Sequence, residues 1–153
     1  MVRKRETEQD KQNQKVLFDR FSRYLKKSYG QFSSFSKKYR IDGFIKDIEE
    51  NVAGWVECKW YKHKAYCWLN LPKYNELISL SEITGQPSYL VFRVPGKLGF
   101  IKLHDGETKT CDYSVKVTGG TQWGRFRNDD DIEPLVCLDK EQIVWFAEAE
   151  KNK

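Results

Sequence analysis

The run Trp55-Val56-Glu57-Cys58-Lys59-Trp60 constrains the fold more than any other stretch of the chain. Its alternation fits an extended strand, because successive side chains of a strand point to opposite faces. Val56, Cys58 and Trp60 then share an apolar face, while Glu57 and Lys59 share the other. Trp55-Val56 and Trp60-Tyr61 are too apolar and aromatic for a bare exposed edge, so the strand belongs inside a sheet. With 153 residues, 39% of them hydrophobic, the chain is long enough for a single domain with one core.

The neighbouring segments say how that sheet is built. Residues 1–8 are charged and expected to be flexible. Residues 9–29 contain neither proline nor glycine, and Leu17, Phe21, Tyr24 and Leu25 recur at helical spacing, which predicts an amphipathic helix stopped at Gly30. Residues 39–45 and 52–61 read as two strands joined through the turn-like Glu49-Glu50-Asn51. Such a hairpin brings Asp42 beside Glu57. Leu71-Pro72 opens a second helix, with proline in the first turn, Tyr74, Leu77, Ile78 and Ile83 available to pack, and Gly85 as its stop. Strands over residues 88–94 and 100–103 follow, separated by a turn with glycine near each end.

A helix between Trp60 and Tyr89 predicts a right-handed crossover, which places the Tyr89 strand in the same sheet as Glu57. The expected fold class is therefore α/β, a mixed sheet flanked by helices. Beyond His104, residues 111–118 and 135–138 read as strands. Residues 141–150 read as a short helix or strand whose Ile143, Val144, Trp145 and Phe146 cover the core.

Asp42, Glu57 and Lys59 together have a chemical use. Hard divalent cations take oxygen ligands, and magnesium commonly uses one or two carboxylates together with waters and phosphate oxygens. An ion held by Asp42 and Glu57 polarises a phosphodiester, and Lys59 is placed to orient the attacking water or to offset charge on the phosphate. On an exposed strand face the same triplet is only a solvated pair of little energetic weight.

The net charge of +5 suits an anionic partner without requiring nucleic acid. No apolar run approaches a membrane span and no signal-peptide core follows Met1, so the chain is expected to be cytoplasmic, in the host cytoplasm if phage-encoded. Cys58, Cys67, Cys111 and Cys137 form no C-x-x-C pair, and with His63 and His104 they match no zinc spacing; they read as reduced, mostly buried thiols. Asp129-Asp130-Asp131 lacks the glycine and glutamate of a calcium loop and reads as a solvated loop.

Asp42, Glu57-Cys58-Lys59, Lys73-Tyr74-Asn75-Glu76-Leu77-Ile78, Gly85-Gln86-Pro87 and Tyr89-Leu90-Val91-Phe92-Arg93-Val94 together resemble the PD-(D/E)XK nuclease superfamily. Within it they are most similar to archaeal and phage Holliday-junction resolvase-like endonucleases. The resemblance covers about Asp19 to Leu103 and fades beyond His104; it implies a restriction-endonuclease-like sheet with an αβββαβ-type core over residues 9–103, and residues 104–153 read as a β-rich extension packed on the same domain. It implies a magnesium-dependent deoxyribonuclease, with manganese as a substitute ion, that acts on DNA, branched and recombination intermediates included, as a homodimer.

Residue by residue, Asp42 and Glu57 match the metal-binding acids and Lys59 the catalytic lysine. Asp19 matches a further metal-binding acid of the first helix by its distance from Asp42, while Asp10 has the better helical phase and the poorer spacing. Lys73 resembles a phosphate-binding cation. Lys62, Lys64, Arg40, Arg125 and Arg127 are the other candidate DNA contacts. The proline that names the family is replaced by Ile41, which no metal chemistry requires. A non-catalytic nucleic-acid-binding module on the same fold is the alternative, and it predicts DNA binding without cleavage. A protein-interaction domain predicts neither.

Overall fold

A computed structural model describes residues 8–32, 41–63, 67–118 and 133–149. Helix α1 (Glu8–Leu25) leads into strands β1 (Ser28–Gln31), β2 (Gly43–Lys46), β3 (Val52–Trp60) and β4 (Trp68–Asn70), then helix α2 (Leu71–Thr84). Strands β5 (Ser88–Val94), β6 (Lys97–His104), β7 (Tyr113–Thr118), β8 (Glu133–Leu138) and β9 (Val144–Glu148) complete the described order, with a single 3-10 turn at Lys140–Gln142.

Six strands form one mixed sheet in the order β1-β2-β3-β5-β6-β9, and three form a smaller sheet in the order β4-β8-β7. Strands β3 and β5 run parallel, joined through α2, as a crossover requires; the other neighbours in the large sheet are antiparallel. Their parallel register places Glu57 opposite Leu90 and Lys59 opposite Phe92.

The alternation of β3 settles which layer meets which face. Val56 and Cys58 join Leu17, Phe18 and Phe21 of α1, with Val91, Leu98 and Phe100 of the neighbouring strands. Trp55 and Tyr61 join Tyr74, Leu77 and Ile78 of α2, with Leu69, Val136 and Leu138 of the small sheet. Both faces of the strand are thus covered, and Glu57 is buried on the α2 side at 1% exposure.

The β2–β3 hairpin turns where Glu49, Glu50 and Asn51 predict it. Asp47 accepts hydrogen bonds from the Glu49 and Asn51 amides at 2.9 and 3.0 Å, and Glu50 adopts a left-handed φ of 67°. At the other end Gly43 is squeezed between β1 and α1: a Cβ there would strike the Gly30 carbonyl oxygen and the Phe18 ring. This close approach holds the residue after Asp42 flat against the sheet.

Several expectations need correction. The first helix ends at Leu25, not at Gly30. Lys26 takes φ of 58° and the Lys27 amide donates to the Ser22 carbonyl, which closes the helix without glycine. Tyr29 and Gly30 instead pair with Ile45 and Phe44 in β1, and the Tyr29 ring stacks on Phe18 at 5.0 Å. Ile83 does not pack, at 82% exposure on the outer side of α2. Residues 68–70, to which the sequence gives no strand, form β4, because Trp68 and Asn70 find partners in Cys137 and Leu135 of β8. Residues 144–148 take the strand alternative, on the edge of the large sheet, with Ile143 and Phe146 packed on the core as expected while Val144 and Trp145 remain 41% and 37% exposed. No helix among the described residues is long and apolar enough to cross a membrane.

Candidate active site

Strand register brings the two predicted acids together. Gly43 faces Val56 across the β2–β3 ladder, so Asp42, one step before β2, comes opposite Glu57. The Asp42 carboxylate accepts a hydrogen bond from the Cys58 amide at 2.8 Å, while its carbonyl accepts one from the Phe32 amide at 2.9 Å. Burial and the neighbouring Glu57 carboxylate push Asp42 well above the usual carboxylate range, with the Lys73 ammonium and the Cys58 amide acting in the opposite direction. Behind the pair, burial and then the two carboxylates push the Cys58 thiol well up, so it stays a neutral core group on the α1 side.

Helix α2 supplies the cation. Lys73 Nζ lies 2.6 Å from Glu57 Oε2, a buried ion pair whose lysine end is 28% exposed. The lysine is fixed in the first turn because Asn70 caps the helix, its side-chain oxygen accepting from the Lys73 amide at 2.9 Å. A lysine at that position works against the helix dipole, and the first turn of α2 carries no acid. The opposing charge comes from the sheet instead. Glu57 Oε1, the second oxygen of the same carboxylate, is buried without a hydrogen-bond partner. Beside it the raised Asp42 carboxyl keeps a proton that it shares with Glu57 in a side-chain hydrogen bond, so the pair is stabilised by that proton or, in its place, by an entering cation.

Lys59 lies on the same face as Glu57, but its ammonium is over the Trp68 ring, 5.4 Å from the ring centroid. Trp68 is anchored edge-on to Tyr61, whose hydroxyl donates to the Trp68 carbonyl at 3.1 Å. Lys62 is exposed in the bend after β3.

Asp19 is engaged elsewhere. It accepts from the Tyr29 hydroxyl at 2.6 Å and pairs with Lys15 at 3.6 Å. Burial and this bond raise Tyr29 to about 12. Asp10 lies exposed in the first turn of α1. Arg40, Lys64, Arg125, Arg127 and the Asp129-Asp130-Asp131 run lie outside the described residues.

Asp42, Glu57 and Lys73 therefore converge, with Lys59 on the same face. The direct pairing of Lys73 with Glu57 is the feature that sequence reasoning missed. One signal pointed to it: a lysine three residues after a capping asparagine, where glutamate or glutamine usually sits, calls for an anion nearby.

Among the described residues no three His, Cys, Asp or Glu side chains gather as a complete metal cage. The two acids still suit a hard divalent ion, which needs few protein oxygens when water and phosphate supply the rest. The buried Glu57 oxygen is of the donor type such an ion takes.

The raised Asp42 carboxyl has a measurable consequence. The folded protein holds a proton that the unfolded chain releases above the ordinary value of 3.8, so in chelator its stability falls as pH rises through that window. Asp42→Asn keeps an acceptor for the Cys58 amide and removes the charge. It is expected to flatten the pH dependence and to be more stable at neutral pH by about 0.5–2 kcal/mol, measured by thermal unfolding in chelator from pH 4 to 8. A variant less stable than the parent at neutral pH contradicts this account of the pair.

Compared with protein-family models, with curated proteins and with solved structures, the chain returns no match.

Proposed function

We propose that the protein is a divalent-metal-dependent deoxyribonuclease of the PD-(D/E)XK type. The observation that carries this reading is the buried pair Asp42 and Glu57 on adjacent strands, with Glu57 Oε1 unmatched. A binding module has no use for two buried acids that repel phosphate. The strand order supports the same reading: an α1, three-strand meander, α2 and parallel β5 succession is the arrangement expected of a restriction-endonuclease-like core.

Asp42 and Glu57 are the residues that would hold magnesium or manganese. When bound, such an ion supplies Lewis acidity on the phosphate and a lowered pKa for water. Lys59 is read as the group that orients the attacking water or offsets phosphate charge, reached by leaving the Trp68 ring. Trp68, 37% exposed beside Lys59, offers a surface on which a base can stack, and exposed Lys62 adds phosphate attraction. Symmetric cutting of a branched substrate needs two such sites, so the acting species is read as a homodimer.

The test is cleavage of junction, flap, single-stranded and duplex DNA by the purified protein with magnesium, manganese or chelator. Cleavage that requires the ion is expected on at least one substrate. DNA binding with no cleavage of any of them would favour the non-catalytic module instead.

A further inference from the structure

Glu57 carries two oxygens in different states. Oε2 is held by Lys73 at 2.6 Å, and Oε1 is buried without a partner. The carboxylate itself is closed off from solvent, whereas the lysine above it keeps 28% of its side chain exposed. Lys73 therefore occupies the approach to the acid and not its floor. The capped first turn of α2 fixes its backbone, and the side chain reaches the acid from that fixed point.

We propose that Lys73 is a displaceable counter-ion: it neutralises Glu57 while the site holds no metal, and a divalent ion entering between Asp42 and Glu57 releases it to meet a nucleic-acid phosphate. This rests on the reading of those two acids as ion ligands. The charge arithmetic favours the exchange. A buried carboxylate needs one compensating charge, and a divalent ion satisfies Glu57 and Asp42 together, with the Asp42 proton released to solvent as Lys73 withdraws. The freed ammonium then stands at the rim of the site, where a phosphodiester brings its own negative charge. In this way a single lysine couples ion entry to substrate binding. Its cost is a weaker intrinsic affinity for the ion.

Two measurements on the full chain test this. Manganese binding is followed by titration calorimetry for the parent and for Lys73→Met, which keeps the stem and removes the charge. Loss of the competitor is expected to tighten binding about tenfold, within the usual range for coupled sites. In the parent, acylation of the Lys73 amine by an N-hydroxysuccinimide ester is quantified by peptide mass spectrometry. Labelling is expected to be slow in chelator, several-fold faster with saturating manganese, and slow again when a non-cleavable phosphorothioate duplex is added. The labelling arm needs no variant, so it decides the matter even where Lys73→Met fails to fold. Manganese binding with unchanged affinity in the variant, or unchanged labelling in the parent, overturns the counter-ion role and leaves the nuclease reading standing. Absence of manganese binding in both proteins overturns both.

Discussion

Glu57→Gln is expected to lower ion-dependent DNA cleavage by about 10³-fold, equivalent to about 4 kcal/mol of transition-state stabilisation. The substitution keeps the shape of a side chain that is 1% exposed and leaves an amide oxygen for Lys73, so the fold is retained while the ligand charge is lost. The loss belongs in the chemical step: DNA affinity in chelator should change little, because Glu57 lies beneath the lysine and not at the surface. A single-turnover assay separates the two, with far-UV circular dichroism as the folding control. Asp42→Ala is expected to behave alike, and Lys59→Ala to lose less, about 10²-fold. Retention of cleavage within tenfold in Glu57→Gln removes this carboxylate from the mechanism.

The largest effect on stability is expected at Phe21. This fully buried ring on α1 meets Tyr89 of β5 at 5.1 Å, Phe100 of β6 at 5.0 Å and Phe146 of β9 at 5.8 Å, so one side chain joins the helix to three strands. Phe21→Ala removes that burial and leaves a cavity among rings that cannot collapse into it, at a cost of about 3–5 kcal/mol. A domain of this kind holds only about 5–15 kcal/mol in total, so the urea midpoint should fall sharply with little change in slope. Ile83→Ala on α2, at 82% exposure, is the matched comparison and should stay within about 0.5 kcal/mol of the parent. Equal effects at the two positions would contradict the packing described for α1.

The acid pair was legible from sequence because it depends on local rules. Alternation assigns Glu57 to a face, the Glu49-Glu50-Asn51 turn closes the hairpin, and the hairpin carries Asp42 to its partner. The α2 crossover and the parallel β5 strand were legible for the same reason, from a proline-opened helix between two strongly β segments. What escaped depends on contacts far apart in the chain. Trp68, Leu69 and Asn70 make too short a run to announce a strand, and they become one only through β8, more than sixty positions later. The end of α1 was misplaced because Lys26 closes the helix at a left-handed φ that sequence rules reserve for glycine. Lys73 was visible as a cation near the site, but its pairing with Glu57 depends on the crossover that sets α2 over β3.

The pairing of β8 with β4 and of β9 with β6 also bears on how the chain is made. Both sheets take a strand from residues 133–149, so during synthesis neither sheet is complete until that stretch has left the ribosome. Until then β6 and β4 present unpaired edges, the kind of surface on which partly made chains associate.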